Sequence, residues 1–471
     1  MPDEKLPLII HPGSGLARVG PQGGRIMAEM VCGALALSRA KEASSALPMG
    51  LVPRFTIGQH VFCEPDYHQI LLWAEALAFE PETVIERLLT EPGKDWNMQN
   101  KTQFVNGRII KLHLDFSVLP LTIFDWVGDL VIESLTFSVP EDYDLNIQKL
   151  ALPLPELRRL DCQNMGLTEL DLTTTPLLET LKCEKNRLAS IDLSVLPLLS
   201  RLYCGDNQLA TLDLSAVPSL VSLSCGKNRL PTLDLSAVPQ LTRLWCCTSQ
   251  LTALDLSPVP HLLEVYCNDN KLSSLDLQAV PRLIKLSCSC NELSELNLSA
   301  VPLLRELHCR CNHLTKLDCS NAHQLEALSC NENQLTSLDF GATTRLVSLM
   351  CYKNQLTSLT LASATRILSL YCYENQLISL NLASAPRLSS LRCSNNHLAS
   401  LNLSAAPQLT DLNCWDNKLD SLALSSVPRL QKLSCFRNKL AELDIRPIER
   451  LLELNYDSGK TRLIQRPDQN F

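Results

Sequence analysis

From Leu157 onward, apolar and polar positions follow one pattern, L-x-x-L-x-C-x-x-N-x-L-x-x-L-D-L-S-x-x-P-x. Residues 199–219 show it cleanly. Units begin at Leu157, Leu178 and Leu199 and run to Leu451, giving fourteen full units and a closing partial one without an insertion. Cysteine fills one slot every 21 residues, fourteen times from Cys162 to Cys435, and Tyr456 takes the next. A fixed period of this length marks a solenoid, in which each repeat buries its apolar face on its neighbours. In Leu202-Tyr203-Cys204 alternate side chains leave a strand on opposite sides, which sends Leu and Cys inward and Tyr outward. Leu212-Asp213-Leu214-Ser215 alternates as well and reads as a second short strand on the opposite wall. The few residues left, often Ser-Ala-Val-Pro, are too short for a helix, and proline suits the turn. The pattern predicts a mainly β repeat fold with parallel sheets on concave and convex walls.

Three places after each cysteine stands an asparagine, at Asn186, Asn207, Asn228 and every rung from Asn270 to Asn438. A side-chain amide carries two donors and an acceptor, so a stack of them satisfies backbone groups that the turn leaves unpaired. Met165, Ser249 and Gly459 interrupt the stack. Only Ser249 does so well inside the array, where a water or a local bend is expected to compensate. Irregular units precede the array at Ile109-Ile-Lys-Leu112-His-Leu114 and Ile132-Glu-Ser-Leu135-Thr-Phe137, as expected of repeats that seal a core. Tyr456 and the polar tail 462–471 are expected to close the other end.

The unit closely resembles the leucine-rich repeat family, and its short form with a second L-D-L segment resembles the bacterial subtype called IRREKO. The resemblance covers about residues 109–461. It implies an arc whose inner strand face commonly binds proteins. Cysteine replaces the usual third leucine.

Residues 1–105 differ from the rest. Residues 6–10 read as a strand, and 25–40, 65–79 and 81–91 as helices, the last two with proline near their starts. The predicted organisation is a small, mainly helical N-terminal domain (1–105), capping repeats (106–156), the regular solenoid (157–461) and a tail (462–471).

Composition changes this picture little. The 471 residues are 45% hydrophobic with a net charge of −8. That balance argues against a nucleic-acid partner, since phosphate binding needs clustered Lys and Arg. No run of 18 apolar residues suggests a membrane span, and the start lacks a secretory pattern. The chain has twenty cysteines, but fourteen share one slot where a small buried hydrophobe fits. A column of reduced thiols suits a reducing compartment, so the expected location is cytoplasmic, with delivery into another cell as the alternative.

Eight aromatics fall at outward positions of the first strand or just beyond it: Tyr203, Trp245, Tyr266, Tyr352, Tyr371, Tyr373, Trp415 and Phe436. Aromatics dominate interface hot spots, although they also favour strands and stack across them. With His308 they form the candidate protein-binding set, surrounded by mixed charges such as Lys182, Glu184, Arg201, Glu264, Lys285 and Arg392.

Other chemistry is weaker. Cys290 and Cys311 share a slot in consecutive repeats near His308 and His313, a donor set for zinc without the spacing of a common zinc module. His60, Cys63 and His68 form a looser trio. Gly13, Gly15 and Gly20 lack the lysine and serine or threonine of a phosphate loop. Residues 69–89 resemble a helix-turn-helix, but Glu82, Glu86 and Glu91 would repel phosphate. No nucleophile elbow or metal-binding His pair is present. The sequence thus predicts a non-enzymatic protein-binding scaffold without a cofactor. The alternative is a bacterial effector or defence component whose repeats select a target and whose residues 1–105 carry the activity.

Overall fold

The computed structural model describes residues 54–57, 60–77, 80–89, 102–105, 108–115, 131–138, 147–341, 343–361 and 364–471. The readings at 6–10, Gly13, Gly15, Gly20, 25–40 and Glu91 lie outside them. The chain divides into two compact units, Met1–Leu199 and Ser200–Phe471.

The first unit opens with an antiparallel hairpin, β1 (Arg54–Ile57) and β2 (His60–Cys63). The sequence reading places no strand here, because four-residue runs are too short to show a periodicity. Helix α1 (Glu64–Leu77) follows, then α2 (Pro81–Leu89). Asp66, Gln69, Ile70, Trp73 and Ala74 of α1 are buried, at the three- and four-residue spacing of one helical face. Pro81 sits where its missing N–H costs nothing, while Thr83 and Val84 donate to the Glu80 carbonyl. The Asp66 carboxylate accepts from the Ile109 N–H at 2.6 Å and so ties α1 to the first repeat strand, Arg108–Asp115. That strand pairs in parallel with Ser134–Ser138, then Arg159–Asp161, then Thr180–Lys182. Leu112, Leu135, Leu160 and Leu181 stand in line. The irregular units therefore carry the same strand as the regular ones.

In the second unit a parallel sheet of three-residue strands runs from Arg201–Tyr203 to Glu453–Asn455, one strand per repeat in unbroken register. From Leu202 through Leu433 the central residue of each strand is at most 1% exposed, as is the cysteine two places on. The core is a stack of identical layers of leucine and sulfur, and burial of this apolar surface drives the fold.

The second wall is less regular. Parallel pairs join Lys149–Ala151 to Glu169–Asp171, Lys316–Asp318 to Ser337–Asp339, and Glu442–Asp444 to Arg462–Ile464. In the other repeats the L-x-L segment carries no such pairing, although its second leucine stays buried, as at Leu214 and Leu235. There a carboxylate holds the turn: Asp213 Oδ1 accepts from the Ser215 N–H at 2.9 Å, and Asp234 from Ser236 alike.

Asparagine joins consecutive repeats. Asn228 Nδ2 donates to the Cys204 carbonyl of the preceding repeat and to that of Cys225 in its own, while Oδ1 accepts from the Leu209 N–H. The same set recurs at Asn270, Asn354 and Asn417. At Ser249 the chain supplies its own compensation. The hydroxyl contacts the Cys225 and Cys247 carbonyls at 3.4 and 3.3 Å, and Gln250 turns to a positive φ of 66°. Asn270 Oδ1 then accepts two N–H groups, from Ser249 and Leu251. Met165 is treated alike, with Gly166 at φ 74° and Asn186 accepting from Met165 and Leu167. The bend is as expected, and the serine hydroxyl fills the place foreseen for a water.

At the far end Gln469 Nε2 donates to the Ile445 and Ile448 carbonyls at 3.0 Å each, the task asparagine performs elsewhere. Tyr456 is half-buried.

Candidate protein-recognition surface

Because Leu and Cys point inward, the residues between and beside them form the opposite face of the long sheet. Two columns carry the aromatics. One contains Tyr203, Trp245, Tyr266, His308 and Tyr371, each midway between the inward leucine and cysteine. The other contains Tyr352, Tyr373, Trp415 and Phe436, each just after the cysteine. All nine side chains are half-buried rather than freely exposed.

The cause of this partial burial is mutual contact. Trp245 and Tyr266, partners in the register, stack with ring centroids 5.7 Å apart and planes within 6°. Tyr352 and Tyr373 stack at 4.3 Å and 8°, and Trp415 and Phe436 at 5.2 Å and 4°. Arg392 lies over the Tyr371 ring, 5.0 Å from its centroid. Tyr203 meets the Ser222 hydroxyl, and His308 stands between Ser287 and Ser329. Burial and the neighbouring Tyr352 push the Tyr373 phenol up to about 12, so its hydroxyl stays protonated at neutral pH.

The surrounding charges pair along the sheet. Arg243 meets Glu264 at 3.6 Å beside the Trp245–Tyr266 stack, Lys285 meets Glu306 at 3.0 Å, and Lys182 meets Asp161 at 3.4 Å. A feature the sequence reading missed lies in the last four repeats. Arg392, Asp411, Asn413, Lys432, Ser434, Glu453 and Asn455 line a shallow polar hollow of about 270 Å³. Its charges pair as Arg392–Asp411 and Lys432–Glu453, and the buried Asn413 Oδ1 has no hydrogen-bond partner. The signal in the sequence is Asp411, Lys432 and Glu453 at register-paired positions of consecutive repeats, with Arg392 paired to Asn413 two places along the strand.

The zinc donor set does not assemble. Cys290 and Cys311 meet in the loop, His308 stays on the sheet and His313 is exposed. Among the described residues no group of three or more His, Cys, Asp and Glu side chains is arranged to hold a metal ion. His68 packs edge-on against Tyr67 at 5.7 Å, while the side chains of His60 and Cys63 lie outside the described set.

No family model matches the chain, and no curated protein does. Solved structures do. The functional domain of InlJ from Listeria monocytogenes, which includes a cysteine ladder, is 32% identical over 60% of this chain and 68% of that one, with a TM-score of 0.55. The stacked cysteines seen here are the feature that its description names. The chain belongs to the leucine-rich repeat proteins. YopM, a leucine-rich effector protein from Yersinia pestis, is 27% identical over 67% of this chain and 88% of its own, with a TM-score of 0.57. The plant peptide hormone receptor RGFR1, solved in complex with RGF2, shares the leucine-rich repeat fold at 18% identity, with 75% and 70% of the two chains covered and a TM-score of 0.56.

Proposed function

We propose that this leucine-rich repeat protein is a non-enzymatic recognition protein that binds another protein on the aromatic face of its long sheet, the concave side of the arc. The observation that supports this most is the placement of the rings. The rings lie beside the inward leucine and cysteine, where seven of the eight stack in pairs or lie under a guanidinium, contacts that restrict their rotation. Rigid aromatics lose little conformational freedom on binding, which favours them as anchors. Paired charges around them set orientation more than affinity. The RGFR1 complex shows that this fold accommodates a peptide ligand in another protein.

A second reading, an effector, is favoured by the likeness to YopM. In it the same face selects the target and residues 1–105 carry the output. A cytoplasmic site of action suits the reduced cysteine column.

The test is affinity capture from cell extract with the full chain, compared with a variant carrying Trp245→Ala, Tyr266→Ala, Tyr371→Ala and Trp415→Ala. Loss of a stoichiometric protein partner with retained cooperative melting supports recognition by this face. Unchanged capture, or salt-sensitive binding of RNA in its place, refutes it.

A further inference from the structure

Every rung has one residue in the left-handed region just before its asparagine slot, which Met165 and Ser249 fill in two rungs, with φ between 50° and 57° from Asn164 to Arg437. In two consecutive repeats that residue is cysteine, Cys290 and Cys311, both at φ 54°. Their loops are joined by a backbone hydrogen bond from the Cys290 N–H to the Arg310 carbonyl at 2.8 Å, and the Cys311 N–H continues the ladder to the Asn331 carbonyl of the next rung at 3.1 Å. Equivalent residues on adjacent rungs lie about 4.8 Å apart, inside the Cα separation that a disulfide spans. The two thiols contact each other, and the Cys311 Sγ–H donates to the Glu332 carboxylate at 3.0 Å. Both are partly exposed, whereas the fourteen thiols of the core column are buried.

We infer that Cys290 and Cys311 form a redox-active dithiol that closes to a disulfide by exchange with a low-molecular-weight disulfide such as oxidised glutathione. The Cys290 thiolate attacks one sulfur of the oxidant, giving a mixed disulfide and releasing one glutathione thiolate. The Cys311 thiol then loses its proton to solvent, attacks the Cys290 sulfur and releases the second thiolate. Two protein thiols are oxidised and one glutathione disulfide is reduced to two thiols. Cys311 takes the resolving role because burial and the Glu332 carboxylate hold its thiol protonated, which makes it the weaker first nucleophile. Parallel side chains on neighbouring rungs keep their Cβ atoms near the rung spacing, wider than the usual 3.5–4.5 Å of a disulfide. The bridge is therefore strained and readily reduced, which fits a reversible switch rather than a staple. Closed, it fastens two consecutive loops beside His308.

The experiment equilibrates the reduced full-length protein with oxidised glutathione, quenches by alkylation and maps the peptides by mass spectrometry. Expected is a Cys290–Cys311 cross-link as the dominant product, reversed by reduced glutathione, with Cys247 and the core cysteines not cross-linked. Cys311→Ser traps glutathione on Cys290, while Cys290→Ser slows the first step by at least about tenfold. Glu332→Gln leaves the first step unchanged and speeds closure, because the carboxylate that holds the Cys311 thiol protonated is gone. Persistent glutathione adducts on the wild-type pair, cross-links spread over other cysteines, or a Glu332→Gln variant that closes no faster than the wild type would overturn the assignment.

Discussion

Asn228 reaches back one full repeat to Cys204, its Nδ2 donating to the cysteine carbonyl at 3.0 Å. Its Oδ1 accepts from the Leu209 N–H at 2.9 Å, so one side chain settles groups on two rungs. These groups are buried, and an unmet buried donor or acceptor costs about 1–3 kcal/mol. The asparagine column thus links neighbouring repeats, the coupling on which a one-dimensional array depends.

Asn354→Ala is expected to destabilise the adjoining rungs by about 2 kcal/mol, because the Leu335 N–H loses its acceptor and the Cys330 and Cys351 carbonyls each lose one of two amide donors. Native-state hydrogen exchange at the Leu335 amide checks it. Exchange should accelerate by at least about tenfold, with smaller effects in repeats farther along.

Ser249→Asn tests the natural break. The serine hydroxyl makes two long contacts, at 3.3 and 3.4 Å, where an asparagine makes shorter ones. The backbone must relax at Gln250, whose φ of 66° is costly for a residue other than glycine. Relief of that strain and recovery of the amide bonds should raise stability by about 1 kcal/mol, read as a higher urea midpoint.

How much of this was legible beforehand depends on the kind of signal. The rungs, the inward Leu202 and Cys204 and the asparagine column follow from period and alternation alone, because an identical unit stacked on itself has few other solutions. The β1–β2 hairpin had no comparable signal, since it occurs once and is four residues to a strand. The second wall is present as expected, with its parallel pairing confined to some repeats. Alternation in Leu212-Asp213-Leu214 reports burial, which is present, but it does not report pairing, which Asp213 partly replaces by an Asx turn. The aromatics follow the two slots beside the inward cysteine. Their pairing into Trp245–Tyr266, Tyr352–Tyr373 and Trp415–Phe436 required the register between rungs.

The core thiols make stability fall at alkaline pH. Burial pushes Cys225 and Cys351 up to about 12 from 9.0. Their folded values exceed the unfolded value, so the contribution is full below pH 9 and is lost as pH rises through the folded values. Between these limits the unfolded chain releases protons that the folded chain keeps. Each such thiol then removes about 1.4 kcal/mol per pH unit. Urea midpoints at pH 8, 9 and 10 should fall increasingly steeply, and a Cys225→Ala, Cys351→Ala variant should fall less.

The turn aspartates act at the opposite end of the scale. Hydrogen bonds from the Ser194 hydroxyl and N–H hold the Asp192 carboxyl below its usual range, and the Ser215 N–H does the same first for Asp213. Their stabilisation is present above the unfolded value of 3.8 and is lost as pH falls through the depressed folded values. Asn297 and Asn402 occupy the same slot and bond the same N–H without a charge. Asp192→Asn with Asp213→Asn should leave neutral-pH melting nearly unchanged and flatten its decline between pH 4 and 2, as followed by circular dichroism.

The stacked rings should separate binding from folding in a graded way. Tyr352 and Tyr373 stack along the column at 4.3 Å, and the sheet beneath them is held by Leu349, Leu370 and the cysteines. A double-mutant cycle with Tyr352→Leu and Tyr373→Leu is expected to show a coupling of about 0.5–1.5 kcal/mol, the range for aromatic pairs. The same cycle across Tyr203 and Tyr373, which share no contact, should give a coupling near zero. If the pairs exist to present a rigid surface, losing one ring should loosen the other, so partner affinity should fall more than either truncated area accounts for. Affinity measured for each single variant and the double checks this. Simple additivity in binding beside clear coupling in stability would assign the stacks to folding alone.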